Sequence, residues 1–324
     1  MSNVSDYSLS TEVIHQIREM HRPSVLGTLV FMLYACMMYF GVAYLIYLVA
    51  SSSLFFLMKI IMLVPLYILC AGGLRLMGNL GHDGTHFSLH HNKVVSTLIG
   101  CFFSSSVIGF TEMGFAVSHW YHHRYTNQLL DPDVIHYSKF PKSEGFLKRL
   151  FLAFPSRIPH YYLNTIKMAI GKPLSYDCKL AFNAQTIKIL SFLNIVFSIF
   201  WLSVYITITI YNPLLGVASI WLPNIIALLG NSFTVFIQHA GTTQERLYNS
   251  RSLISPMTTV LYFGGNYHLE HHLYPGIPMY RLPALHCLLK EQGVYNQQEK
   301  VHLDSVPFAE LAHAWSNYPD GSVA

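Results

Sequence analysis

The sequence predicts an all-α membrane protein with four transmembrane helices in two hairpins, one re-entrant or interfacial helix and a cytoplasmic helical cap. Of the 324 residues, 52% are hydrophobic and only 11% are charged, whereas a typical soluble domain carries roughly 25% charged residues. Four apolar runs have the length of a bilayer crossing. Histidines recur in the polar segments at helical spacing, which indicates that the cap carries a metal site.

The first hairpin is predicted at about 25–50 and 54–78. Its first run has no charged residue and exceeds the roughly 20 residues that cross about 30 Å of hydrocarbon. Ser51–Ser53 supplies a short polar break. The apolar run that follows, Leu54–Leu74, contains the single charge of Lys59 near one end, where the ammonium can reach the interface.

The second hairpin comes from a longer uncharged stretch. Ile189–Gln244 contains no charged residue, and its length is too great for one span. Asn212 and Pro213 supply a turn in its middle. We therefore predict spans at about 189–211 and 214–238.

The segment at about 94–115 begins with eighteen uncharged residues, the lower limit for a span. If it crossed the membrane, the histidines before and after it would lie on opposite faces and could not share a site. We therefore predict that it is re-entrant or interfacial. The cytoplasmic parts are then 116–188 and 239–324, within a single domain 1–324.

The charges predict the orientation of this domain. The chain has 20 Lys and Arg residues, and all except Lys59 lie in the N-terminus, in 75–188 or beyond 244. Basic residues concentrate on the cytoplasmic side of membrane proteins. The histidine-bearing segments are therefore expected to face the cytoplasm, in a bacterial inner membrane or an endoplasmic reticulum.

Nine histidines are predicted to bind metal. They form one pair at spacing i, i+4, two triplets at spacing i, i+3, i+4, which share a helix face, and one residue directly after the fourth span. They are His82, His86, His119, His122, His123, His239, His268, His271 and His272. Zinc takes four ligands, or three and a water, so nine histidines indicate two ions with four or five nitrogens each.

Adjacent histidines in the two triplets support two ions, because neighbouring side chains on a helix diverge by about 100° and can serve one ion each. Imidazole suits iron, zinc, copper and nickel alike. Two redox-active irons would fit dioxygen chemistry on an unreactive C–H bond.

Polar residues beside these histidines are candidates to hold the second ring nitrogen, since metal-bound histidine usually donates its other N–H to a carboxylate or carbonyl. The candidates are Asp83, Glu112, Asp131, Asn266 and Glu270. The alternative for the acidic residues among them is a solvated charge or a salt bridge to a nearby arginine. The remaining histidines have no supporting pattern and are interpreted as surface residues: His15, His21, His90, His91, His136, His160, His286, His302 and His313.

Over about 25–290, the chain resembles the integral-membrane fatty acid desaturase and hydroxylase superfamily. The resemblance rests on the combined order of motifs rather than on any one of them. These motifs are Gly-His-Asp-Gly-Thr-His at 81–86, His-Trp-Tyr-His-His at 119–123 with the acidic turn Asp131-Pro132-Asp133, Gln238-His239, and the stretch 266–283 that contains the last triplet.

The resemblance implies a mushroom-shaped helical protein with four spans, two irons held by the histidines, reductive activation of O2 and a buried acyl or hydrocarbon substrate. The function it implies is the introduction of a double bond into the acyl chain of a fatty acid or lipid. A hydroxylase or ketolase of a fatty acyl, carotenoid or hydrocarbon substrate is the alternative. In animal acyl-CoA desaturases an asparagine stands one turn before the extra histidine, and here that position is Val235.

No His-Pro-Gly-Gly haem motif occurs, so electrons are expected from a separate ferredoxin, rubredoxin or cytochrome b5, and no nucleic acid partner is expected. The basic segment Lys139–Lys188 is a candidate docking surface for that donor. Ordinary positive-inside charge, or contact with anionic lipid, explains the same segment.

Two other function classes are weaker. His82-Asp83-x-x-His86 has the spacing of the HExxH zinc hydrolases, but aspartate replaces the glutamate base and seven histidines are left unexplained. A metal transporter would need ligands inside the spans, which hold only Asn194, Asn224 and Asn231.

Overall fold

The computed structural model describes residues 9–138, 151–153, 155–174, 180–239, 242–296 and 303–304. The helices in chain order are α1 (Thr11–Met20), α2 (Val25–Ser51), α3 (Phe56–Thr85), α4 (Lys93–Ser104), α5 (Glu112–Tyr125), α6 (Pro132–Ser138), α7 (Ile158–Ala169), α8 (Ala184–Tyr211), α9 (Pro213–His239), α10 (Pro256–Tyr262), α11 (His268–Leu273) and α12 (Leu282–Glu291). A parallel pair of two-residue strands, β1 (Ser252–Leu253) and β2 (Leu303–Asp304), joins two loops.

Four of these helices, α2, α3, α8 and α9, are long and apolar enough to cross a membrane. They form two hairpins. Their outer surfaces are apolar: Leu26, Phe56 and Ile210, for example, are 72%, 79% and 71% exposed. Large apolar surfaces of this kind suit contact with lipid and not with water. The all-α membrane fold class is therefore confirmed, with the two short strands as its small departure.

The helix bounds differ from the predicted ones where a helix leaves the apolar run. The second predicted span, 54–78, corresponds to α3, which begins at Phe56 and continues without a break to Thr85, so that it carries His82 and ends directly before His86. The predicted segment 94–115 is two helices, because α4 ends at Ser104 and α5 begins only at Glu112.

Helix α3 lies at the centre of the bundle and packs against α2, α4 and α9. Close approach to α4 depends on two glycines. A Cβ added at Gly84 would lie 2.8 Å from the Cα of Gly100, so a larger residue at either position would push the helices apart.

The non-helical connection between α4 and α5 is held by side chains from α8 and α9. Asn224 accepts from the backbone N–H of Ile108 at 2.8 Å, and Asn194 accepts from that of Met113 at 2.9 Å. The hydroxyl of Tyr205 donates to the carbonyl of Ser106. Irregular backbone at membrane depth is tolerated when protein groups satisfy it, so these contacts let the chain turn back and bring α5 to α3.

Candidate metal centre

Four separate parts of the chain supply the predicted ligands. His82 lies in the last turn of α3, His86 directly follows the end of this helix at Thr85, and the second half of α5 carries the first triplet. His239 is the last residue of α9. The second triplet occupies α11, which has only six residues and ends just before Pro275. Because the connection before α5 turns back, the histidines on either side of it meet at the same end of the bundle.

The structure brings all nine histidines together in two groups. Within each group, the ring nitrogens that face one another all lie within 4.8 Å. Adjacent residues are separated, so that His122 and His272 belong to one group while His123 and His271 belong to the other. The groups are His82, His86, His119, His123 and His271, and His122, His239, His268 and His272.

The spacing of the ring nitrogens suits bound metal. Neighbouring Nε2 atoms lie 2.9 Å apart for His86 and His119, 2.9 Å for His123 and His271, and 2.8 Å for His239 and His268. Metal–nitrogen bonds of about 2.1 Å that meet at right angles place neighbouring nitrogens about 3.0 Å apart. Each group therefore fits one ion at its centre.

Burial keeps these imidazoles neutral. It lowers the pKa well below the usual histidine value and is the largest cause at each of the following positions, with neighbouring histidines as a further cause: His86, His119, His123, His268, His271 and His272. Neutral imidazole is the form that binds metal. At these six positions the folded chain thus presents neutral ligands, which can bind metal without first losing protons.

Two histidine rings are oriented through their second nitrogen. His122 Nδ1 donates to the carboxylate of Asp131, with distances of 2.9 and 3.0 Å to its two oxygens. His239 Nδ1 donates to the backbone carbonyl of Asn249 at 3.1 Å. Both contacts direct Nε2 toward the centre of the group.

Asp83 makes one long contact to a histidine ring and one hydrogen bond to the backbone. Its Oδ1 lies 3.7 Å from His82 Nδ1, and its Oδ2 accepts from the backbone N–H of Met279 at 3.0 Å. The carboxylate therefore ties α3 to the loop that follows α11.

Three of the predicted partners bind elsewhere, which corrects the expectation for them. Thr85 donates to the carboxylate of Glu112. The amide of Asn266 donates to the carbonyl of Leu253 at 2.9 Å. The carboxylate of Glu270 accepts from His286 Nδ1 at 2.6 Å, from Tyr295 at 2.7 Å and from Ser252 at 2.5 Å. Glu112, Asn266 and Glu270 thus hold elements together rather than orienting a predicted ligand.

The interpretation of the remaining histidines as surface residues was wrong for two of them. His286 is buried against Glu270, and His136 is buried beside Ser156 and His160. His302 and His313 lie outside the described residues.

A cavity of about 110 Å³ lies beside both histidine groups. Five of the nine histidines line it, together with aromatic side chains of α5 and α7 such as Phe115 and Tyr161, and Val235 of α9. The cavity also reaches polar side chains of two spans: Arg75 and Asn79 on α3, and Asn231 and Gln238 on α9. A group bound there would contact the metal centre.

The sequence prediction did not include Arg75, Asn79 or the segment 249–251. The first two continue the stripe of His82 and His86 at intervals of three and four residues, a spacing that was visible in the sequence. Arg251 is fully buried and donates to the carbonyl of Ile237, two residues before His239. No local pattern marks that long-range contact.

The comparisons with known proteins agree with this geometry. The family model described as fatty acid desaturase matches residues 59–300. The chain is also similar to a Delta(8)-fatty-acid desaturase of Euglena gracilis, with 23% identity over 235 residues, which is 64% of this chain and 56% of that protein. The chain therefore spans little more than half the length of this relative. Because the family model covers most of the chain, the protein belongs to the fatty acid desaturase family.

Proposed function

We propose that the protein is a di-iron, O2-dependent oxidoreductase that introduces a double bond into the acyl chain of a fatty acid or lipid. The observation that carries the proposal is the pair of histidine groups beside one cavity. Family membership supports metal-dependent chemistry on a fatty acyl lipid.

The donor set favours iron over zinc. Five histidine nitrogens converge in the first group, more than the four ligands that zinc usually takes. When bound there, iron would use O2, two electrons and two protons to remove two hydrogens from adjacent methylenes, giving the alkene and two waters.

The protein residues position the reactants. Asp131 and Asn249 hold the rings of His122 and His239 in place through hydrogen bonds. Phe115 stacks on His119 with ring centroids 4.8 Å apart. The cavity holds the substrate segment beside the histidines, so that binding geometry selects the methylenes that react.

The two rival functions lose support from the same structure. A zinc hydrolase would need Asp83 as general base, but this carboxylate is 1% exposed and bonds to the backbone of Met279. A transporter would need polar span residues along a path. Asn224 instead accepts from the backbone of Ile108 before α5, and Asn194 accepts from that of Met113 in the first turn of α5.

We further propose that the histidines face the cytoplasm, in a bacterial inner membrane or an endoplasmic reticulum. Electrons would come from a ferredoxin, rubredoxin or cytochrome b5. The basic segment 139–188 is the candidate dock for this donor, although much of it lies outside the described residues.

Metal content tests the di-iron proposal. We expect about two irons per purified chain, and a loss of iron in His122→Ala, from one group, and in His271→Ala, from the other. His91→Ala, an exposed histidine, is the matched control and should keep its iron. One zinc per chain, after expression with ample iron, would contradict the proposal.

Lipid analysis tests the reaction. The chain is expressed with candidate electron donors in a host of simple lipid composition, and its lipids are compared by mass spectrometry with those of a host expressing His122→Ala. Desaturation predicts products about two mass units lighter. Products about sixteen units heavier would show that hydroxylation replaces it.

A further inference from the structure

Two spans carry polar stripes that lead away from the metal centre. On α3, Arg75, Asn79 and His82 follow one another at intervals of four and three residues, which places them on one face. All three line the cavity, as does Asn231 of α9. With a rise of 1.5 Å per residue, Arg75 lies about 10 Å from His82 along the helix axis.

The far end of the cavity carries hydrogen-bond donors. Arg75 Nη1 donates to Asn231 Oδ1 at 2.9 Å, and its guanidinium carbon lies 5.2 Å from the ring centroid of Tyr262. One turn nearer the histidines, Asn79 is only 7% exposed, and its amide nitrogen finds no hydrogen-bond partner among the described residues. A buried donor left without an acceptor is unfavourable, so this amide indicates a ligand with an acceptor oxygen.

These donors are unusual for a site that handles only hydrocarbon, because an alkyl chain has no acceptor to offer. Asn194 and Asn224, the other two asparagines of the spans, satisfy the backbone at and just before the start of α5, whereas Asn231 lines the cavity and orients Arg75. The polar groups that fix a ligand in a mostly apolar pocket are usually few and convergent.

We propose that Arg75, Asn79 and Asn231 bind an oxygen-bearing group of the substrate, a carboxylate or carbonyl at the end of an acyl chain, while the reacting methylene lies beside the histidines. This inference rests on the proposed function and specifies its substrate. An alkyl chain that spans about 10 Å needs at least about seven carbon–carbon bonds of about 1.5 Å each. The substrate is then a lipid oxidised at a fixed, short distance from its polar end.

Equilibrium binding tests the inference without turnover. Tritiated octadecanoic acid is bound to the full chain in detergent and detected by scintillation proximity. Unlabelled octadecanoic acid, methyl octadecanoate and octadecane are the competitors. We expect the acid to compete and octadecane to fail, and competition by the methyl ester distinguishes a carbonyl site from one that needs the full carboxylate.

Three variants test the residues. Arg75→Gln should weaken binding of the acid at least about tenfold, the loss expected for a hydrogen bond to a charged group. Asn79→Ala should also weaken it, and this variant removes an amide nitrogen that has no hydrogen-bond partner among the described residues. Lys59→Gln is the control, because this cation of α3 bonds to the carbonyl of Ala50 at the other end of the helix and its loss should leave binding unchanged. Thermal unfolding verifies that each variant is folded.

Binding of the acid by Arg75→Gln and Asn79→Ala with unchanged affinity, or equal competition by octadecane, would overturn the inference. Its failure is distinct from failure of the proposed function. A chain that binds the acid through Arg75 and forms no oxidised lipid contradicts the proposed function alone. A chain that oxidises lipids but binds them independently of Arg75 contradicts this inference alone.

Discussion

At the scale of the residue, the carboxylate of Asp131 holds the ring of His122 in its orientation. Besides His122 Nδ1, it accepts from the backbone N–H groups of Asn127 and Asp133, both at 2.8 Å. In Asp131→Asn, an amide N–H2 replaces one acceptor oxygen, so at least one of these donors loses its partner. We expect iron affinity to fall about 10–100-fold, as for other contacts that orient metal ligands.

Competition with a chelator measures this affinity in the purified chain. Glu12→Gln is the control, because Glu12 is an exposed carboxylate of α1, far along the chain from the histidines, and should leave the affinity unchanged. Equal iron retention by Asp131→Asn and the wild-type chain would show that the carboxylate does not hold the ring.

Asp131 and Glu270 together show why proximity in sequence to a histidine predicts some hydrogen-bond partners and not others. Glu270 precedes His271 directly, but adjacent side chains on a helix point about 100° apart, so Glu270 faces α12 and meets His286. Asp131 lies nine residues after His122 and returns to it through a turn. The ligand spacing could be predicted from the helical period, whereas partners that depend on loop and tertiary geometry could not.

At the scale of the element, the position of α5 depends on Asn194 of α8. This side chain is fully buried, accepts from Met113 N–H and donates to Ser105 at 3.0 Å. In Asn194→Leu, the backbone N–H of Met113 loses its partner, at a cost of about 1–3 kcal/mol, whereas Ser105 keeps its bonds to the carbonyl of Cys101 and to Ser198. Because α5 carries three of the histidines, we expect a lower unfolding temperature in detergent together with lower iron content.

Ser198→Ala is the matched control for this change. Ser198 lies one turn further along α8 and bonds to Ser105 and to the carbonyl of Asn194, but not to α5. We expect its iron content to match that of the wild-type chain. If Asn194→Leu also keeps its iron, the contact does not position α5.

The four long helices were predictable from sequence because the bilayer demands long uncharged runs. The end of α3 was harder to predict from sequence. Beyond residue 78 the helix leaves the apolar run, so hydropathy no longer indicates a helix there, and only the helical spacing of the histidines does. The polar residues inside the spans are visible in the sequence, but their roles are not. Those roles depend on the backbone at the start of α5 and on the cavity, which only the folded chain defines.

At the scale of the whole molecule, the buried neutral histidines make stability depend on pH. Their pKa in the unfolded chain is about 6.5, and burial lowers it in the folded chain at His86, His119, His123, His268, His271 and His272. Above about pH 6.5 both states are neutral, so this stability is fully present. As the pH falls below that value, the unfolded chain takes up protons first, and the free energy of unfolding falls by up to about 1.4 kcal/mol per pH unit for each histidine.

Thermal unfolding of the chelator-treated chain should therefore show a nearly constant midpoint from about pH 8 to 7 and a steep fall between about pH 6.5 and 5. His271→Gln removes one of the six titrating groups and should make the fall less steep. His91→Gln removes an exposed histidine and should leave it unchanged. A midpoint that stays constant down to pH 5 would mean that the imidazoles are already protonated in the folded chain, and such a chain could bind metal only after releasing those protons.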